Sequence, residues 1–293
     1  MNKDLKTGHL LAAMTVIVWG TTFISTKVLL RTFEPIAILF IRFLLGYGAL
    51  WLAAPRPLKT RGFREELPMI AAGLCGVTLY FLLENIALEY TYASNVSVIL
   101  SVAPFFTAIL SFFFLKGERP GGFFFAGFAV SLLGIVCIGF AGSALALNPL
   151  GDVLALLAAV VWAAYTILTR RIAGFGYSTV QTTRRIFFWG LVFMLPVVPR
   201  MVHSFPSPGG LSLTALLNLL YLGFIASALC FVTWGRAVQS IGAAKTSAYI
   251  YLVPVVTVAA SSLLLKEQVT PLSFLGVLLT LLGLILSQRK SKI

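Results

Sequence analysis

The sequence predicts an all-α polytopic membrane protein, with ten transmembrane helices arranged as two inverted five-helix repeats. Three observations carry this expectation. There is too little charge to clothe a water-facing surface, there are ten long apolar runs, and an ordered set of residues recurs along the chain at a nearly constant offset. Hydrophobic residues make up 59% of the 293 and charged residues 11%, with a mean hydropathy of +0.98. A soluble domain carries about 25% charged residues, so lipid must replace water over most of this surface.

The apolar runs cover 9–30, 35–54, 67–89, 92–115, 121–140, 150–172, 178–199, 211–235, 241–265 and 270–288. The first is too long for the apolar core of a signal peptide and has no small-residue cleavage site after it, so it reads as a retained helix. The seventh is the shortest. Its uncharged part, Ile186 to Pro199, is 14 residues, about 21 Å of helix against a hydrocarbon core of about 30 Å. To span, it must begin near Thr179 and carry Arg184 and Arg185 inside it. Loop charge sets the orientation. With the N-terminus inside, 15 of the 22 Lys and Arg residues fall in inner segments and 3 in outer loops. That asymmetry puts both termini in the cytoplasm, and the expected location is the inner (plasma) membrane. The asymmetry also requires an even number of spans, which supports the seventh.

The formal net charge of +13 does not mark a nucleic-acid binder, because the basic residues cluster at the ends of apolar runs instead of along one face. Cys75, Cys137 and Cys230 stand singly, without disulfide or metal-ligand spacing. No cofactor or metal site is expected.

The two halves resemble each other. Trp19 and Arg42 are 23 residues apart, as are Trp162 and Arg185. Ala87, Pro104, Leu115 and Lys116 match Ala237, Pro254, Leu265 and Lys266 at an offset of 150. Glu118, Gly127 and Gly134 match Glu267, Gly276 and Gly283 at 149. The first repeat is assigned to 1–142 and the second to 143–293. Five spans per copy is an odd number, so the second copy enters the membrane from the opposite side. Inverted repeats are a recurrent carrier architecture, with the solute site near the midplane between them.

The Trp-Gly-Thr-Thr-Phe stretch at 19–23, Arg42 in span two, the Pro104 helix and the Leu-Lys-Gly-Glu turn at 115–118 resemble the EamA-type branch of the drug/metabolite transporter superfamily. Trp162, Arg185, Pro254 and Leu-Lys-Glu at 265–267 extend the likeness over nearly the whole chain, although the second copy lacks the Gly before its Glu. Within that branch the chain is most similar to amino-acid exporters of the YddG type. The resemblance implies ten helices, export or exchange of metabolites, and a central cavity lined mainly by spans three, four, eight and nine.

Charges inside the bilayer are costly and mark candidate sites. Arg42 and Arg185 lie at matching depths on opposite sides; they either cap helix ends and snorkel to phosphate level or act in gating and attract a substrate carboxylate. Glu84 is the one acidic residue well inside a span. It is either a proton-coupling carboxylate or part of a structural ion pair near Lys27 or Arg42. The expected substrate-binding set is Tyr80, Asn85, Asn95, Ser101, Ser227, Trp234, Ser247 and Tyr249, which offers hydrogen bonds to a zwitterion and aromatic faces to an apolar side chain. Each Ser is equally a helix-packing residue. Pro104 and Pro254 free backbone carbonyls and are candidate hinges. Trp51 and Trp189 read as interfacial anchors or lipid-facing bulk.

The expected function is secondary export of amino acids, aromatic ones included, and related small metabolites by a monomer in the lipid bilayer. Alternatives are a carrier of drugs, nucleotide-sugars or lipid precursors, or an intramembrane enzyme. Catalysis needs a nucleophile with its base, a metal site or paired carboxylates. With two histidines, His9 and His203, and no HExxH, the chain offers none of these in sequence, so no catalytic residue is expected. The absence of a Walker motif excludes ATP as the direct energy source.

Overall fold

A computed structural model describes residues 3–90, 93–115, 120–141, 148–199, 212–265, 270–287 and 289. All regular structure among them is helical. The helices are α1 (Lys3–Leu29), α2 (Pro35–Ala53), α3 (Phe63–Tyr90), α4 (Ala93–Leu100), α5 (Ala103–Phe114), α6 (Gly122–Ala141), α7 (Pro149–Ala173), α8 (Thr179–Met194), α9 (Leu213–Ile241), α10 (Ala243–Ala248), α11 (Leu252–Leu265) and α12 (Pro271–Ser287). Seven helical stretches are long and apolar enough to cross a membrane: α1, α2, α3, Val96–Phe114, α7, α9 and Ala243–Ala260. Gly122–Cys137 and Phe274–Ser287 are apolar but shorter. Helix α8, the seventh run of the sequence, is 16 residues long and carries Arg184 and Arg185.

Local chemistry sets the boundaries. Pro35 and Pro149 open α2 and α7, where their missing N–H costs nothing. Asn148 caps α7 by accepting from the Leu150 and Gly151 N–H groups. Gly242, at φ +87°, ends α9 and starts α10 in a backbone region closed to most L-residues. The two candidate hinge prolines are not mid-helix kinks. Pro104 sits in the first turn of α5, after a break at Ser101–Val102, and Pro254 follows the 3₁₀ turn Tyr249–Tyr251 at the start of α11. Each long span is therefore broken just before its proline, because the pyrrolidine ring cannot continue the preceding helix. Helices α3 and α9 each widen into a π segment, Leu74–Leu79 and Tyr221–Leu229.

Packing runs in exchanged pairs. Helix α1 packs on α9 and α11, while α7 packs on α3 and α5. Helix α2 lies on the π segment of α9, with Gly46 against Phe187, the Gly223 carbonyl and Ser227. Helix α8 lies on the π segment of α3, with Gly190 against Val77 and Gly73. Gly73 and Val77 stand 150 residues before Gly223 and Ser227. Helices α6 and α12 meet at backbone distance. A Cβ at Gly127 would lie 2.5 Å from the Gly283 carbonyl, and one at Gly134 would lie 2.5 Å from the Gly276 carbonyl. Small residues allow such approach, and van der Waals contact drives it where no water can be expelled.

Buried hydroxyls are satisfied mostly within their own helices. Thr15, Ser101, Thr107, Thr166 and Thr246 each donate to the carbonyl four residues back. This lets polar side chains sit in an apolar interior without stranding a donor.

Candidate functional site

The centre of the molecule is an aromatic layer. Trp19 from α1 and Trp162 from α7 meet edge to face, with ring centroids 5.1 Å apart, and Trp234 from α9 lies 5.0 Å from Trp19 and 5.8 Å from Trp162. Tyr80 from α3 packs on Trp162 at 4.7 Å, and Phe231 adjoins both Trp19 and Trp162. The Trp19 indole N–H donates to the Ala226 carbonyl at 2.9 Å in the π segment of α9, which fixes that ring. Trp19 and Trp162 are the matched tryptophans of the two halves, and they touch.

Above this layer, toward the C-terminal ends of α1 and α3, lies a pocket of about 500 Å³, its mouth included. Its walls include Trp19, Phe23, Tyr80, Phe81, Trp162 and, from the breaks before the two prolines, Leu100, Ala103, Ile250 and Val253. Glu84 is the one charged side chain on this wall among the described residues. It is 3% exposed, Tyr80 hydrogen-bonds it, and its Oε2 has no partner. On the other side of the layer, toward the C-terminal ends of α7 and α9, a smaller cavity of about 370 Å³ is lined by Tyr165, Thr169, Phe231, Gly235 and Gln239, among others.

The expected site residues divide. Tyr80 and Glu84 line the pocket, and Trp234 underlies it, fully buried. Ser227 accepts from Arg42 Nε at 3.0 Å, behind the wall. Asn85 is fully buried and donates to the Pro35 carbonyl at 3.1 Å, tying α3 to the start of α2. Ser101 and Ser247 bond the Ser97 and Ala244 carbonyls of their own helices. The Tyr249 hydroxyl meets His9 Nδ1 at 2.8 Å, away from the pocket. The side chain of Asn95 lies outside the described residues, as do Lys116, Glu118, Lys266 and Glu267 of the repeated turn. The expectation that spans three, four, eight and nine line the cavity is corrected in part. Helices α1 and α7 supply the two tryptophans of its floor, and α9 supplies no wall residue. The signal for α1 and α7 was in the sequence, as the tryptophan that recurs 143 residues apart, Trp19 and Trp162.

The two arginines sit in unlike surroundings. Arg42 is 1% exposed, with its guanidinium carbon 4.3 Å from the centre of the Phe81 ring and its Nη2 without a partner. Arg185 is paired with Glu66 at 2.6 Å, and Trp189 donates to the same carboxylate oxygen at 2.5 Å. Trp189 is thereby tied to α3 instead of facing lipid as bulk. Beside it, Arg184 donates to the Ala54 and Arg56 carbonyls, and Tyr177 donates to Glu65 at 2.5 Å. Together these bonds tie the start of α8 to the α2–α3 connection and the first turn of α3. Sequence reasoning passed over Glu66 because it lies at the edge of its span, 119 residues from its partner.

A helical membrane protein whose interior holds cavities on both sides of one aromatic layer has the architecture of a solute carrier. The EamA-like transporter family matches this chain twice, over residues 6–140 and 149–288, and the chain belongs to that family. It is a transporter and not an enzyme. It is 32% identical to a probable terminal-alkyne amino-acid exporter of Streptantibioticus cattleyicolor, over 95% of this chain and 92% of the relative. It is 29% identical to a probable amino-acid metabolite efflux pump of Escherichia coli, over 94% and 92% of the two chains. An uncharacterized transporter of Archaeoglobus fulgidus is 30% identical over 96% and 97%. A crystal structure with a TM-score of 0.79 and 19% identity covers 97% of this chain and 96% of its own, a likeness of fold.

Proposed function

We propose that this chain exports amino acids, aromatic ones included, and related small metabolites across the inner membrane, acting as a monomer by alternating access. The observation that carries the reading is the pocket itself: aromatic walls, one buried carboxylate and a floor shared by the two halves. The names of the relatives in Streptantibioticus cattleyicolor and Escherichia coli support the substrate class. The membrane topology is ten spans in two inverted copies, 1–142 and 143–293, with both termini cytoplasmic. The exchanged helix pairs, the touching Trp19 and Trp162, and the α6–α12 contact all support it, because an inversion axis brings equivalent residues onto each other. Alternating access then opens the cavities on the two sides of the aromatic layer in turn, with the breaks before Pro104 and Pro254 as hinges. Two copies in one chain complete the path, so no second subunit is needed.

Counterflow in proteoliposomes tests this reading. Liposomes preloaded with unlabelled phenylalanine are expected to accumulate labelled phenylalanine transiently, and failure of every amino acid to exchange overturns the proposal. Glu84→Gln in the same liposomes, with and without a pH gradient, tests proton coupling. Loss of the gradient's effect is expected, and an unchanged pH dependence removes Glu84 from that role. A second reading, transport of a cationic drug, draws on the same carboxylate and rings; it predicts exchange of lipophilic cations and none of amino acids.

A further inference from the structure

We propose that the pocket recognises its solute by a protonated amine alone, and that no ionic contact is made with the solute's carboxylate. The inference deepens the reading above by naming which end of an amino acid is read. Its geometry is an acceptor on a wall of aromatic side chains. Glu84 is 97% buried in the wall, and its Oε2 accepts no bond from the protein. A carboxylate has room for several donors, and Tyr80 supplies only one. An ammonium group brings three donors, and one of them can fill the open acceptor position of this carboxylate in a charge-assisted bond. Trp19, Tyr80 and Trp162 share this wall, and an aromatic ring attracts a cation placed over its face, most strongly where water is excluded.

The wall offers nothing comparable to an anion. Among the described residues no cation lines the pocket. Arg42, the nearest buried cation, is separated from it by Phe81, a wall residue against whose ring the guanidinium lies. Its Nε is already given to Ser227. The unpaired donor on a wall residue is neutral: Trp162 lines the pocket and its buried Nε1–H has no partner. An indole N–H donates to an amide or ester carbonyl as readily as to a carboxylate. Amino-acid amides and primary amines of similar shape are therefore substrates, and N-acylated amino acids are not.

Equilibrium binding of labelled phenylalanine to the purified full chain in detergent, at pH 7 so that the solute amines stay mostly charged and the buried carboxyl is not driven into its neutral form, provides the test. Phenylalaninamide is expected to compete within about threefold of unlabelled phenylalanine. N-acetylphenylalanine is expected to be weaker by about tenfold or more, the factor a charge-assisted hydrogen bond is worth. Glu84→Gln is expected to weaken phenylalaninamide by a similar factor, and Glu84→Asp to retain part of the binding. If N-acetylphenylalanine equals or exceeds the amide, or if the amide fails, the inference is overturned while amino-acid transport stands. If phenylalanine itself does not bind, labelled phenethylamine is measured directly. Its binding then supports amine recognition against the amino-acid reading, and its failure sinks both. The wild-type ranking decides the matter even where the Gln variant does not fold.

Discussion

Helices α6 and α12 and the two arginine sites show opposite fates of the same duplication. In the α6–α12 pair the copies remain near images. Gly127 packs on Gly283 and Gly134 on Gly276, so each contact repeats the other with the partners exchanged. At Arg42 and Arg185 the copies have diverged. Arg42 is sealed inside, bonded to Ser227 beside Phe81, whereas Arg185 sits half-exposed in an ion pair with Glu66. The residues that match Glu66 and Glu84 at the offset of 150 are Leu216 and Trp234, neither of them acidic. Packing recurs in both copies, as do the two arginines, whereas the acids beside them, Glu66 and Glu84, each stand in one copy alone. A carrier needs two equivalent packings to alternate, but it needs only one group to read its solute.

The largest effect is expected at Arg42. The opposite charge acting on it is Glu84, so Arg42→Leu leaves a carboxylate uncompensated in an apolar interior. Breaking a buried charge pair on one side costs about 3 kcal/mol or more. Thermal melting in detergent should show that loss, and Arg42→Leu with Glu84→Gln should be more stable than Arg42→Leu alone. Strict additivity of the two changes would show that the charges are uncoupled. Next comes the symmetric pair. Gly134→Ala puts a methyl where the Gly276 carbonyl and the Thr280 backbone lie within 2.6 Å, and overpacking of this kind costs about 1–3 kcal/mol. Gly283→Ala should cost a similar amount, since it meets the Gly127 carbonyl and the Ser131 backbone. A large difference between the two would break the image relation.

A smaller effect is expected at the exposed counterpart. The Arg185 side chain is 36% exposed, so Arg185→Gln should lower the melting temperature by an amount worth about 1 kcal/mol or less. High salt should narrow the gap to wild type, as it should not for Arg42→Leu. The smallest effect concerns Tyr177, whose hydrogen bond to the Glu65 carboxylate raises its phenol above the usual tyrosine range. A raised value means that the stabilisation is complete below the unfolded pKa of about 10 and is lost as pH rises through the folded one. Tyr177→Phe should therefore melt slightly below wild type at neutral pH and lose less of its stability above about pH 10. Parallel melting curves from pH 8 to 11 would exclude this contribution.

Much of the fold was legible because lipid imposes it. Runs of apolar residues must be helices where the backbone has no water to bond, and the repeat spacing marked two related halves before any contact was known. The candidate site was legible in part. Glu84 and Tyr80 stood out as polar groups deep in a span, and both are on the pocket wall. Ser101, Ser247, Asn85 and Tyr249 stood out equally, but the first two are bonded within their own helices, Asn85 to the Pro35 carbonyl and Tyr249 to His9. Thr22 and Phe23 were missed as wall residues, though they stand three and four positions after Trp19 and so share its helix face.

The sequence by itself determined the membrane class, the duplicated pattern and the small number of charges placed where they are costly. Only the tertiary structure decided which of those polar groups is left unsatisfied and where it points. The reason is physical: periodicity and hydropathy are properties of one segment, whereas the satisfaction of a side chain depends on neighbours that arrive from elsewhere. Glu66 finds Arg185 across 119 residues, and Trp19 finds the Ala226 carbonyl across 207. Glu84 Oε2 finds no such partner, and neither do Asn85 Oδ1 or Trp162 Nε1.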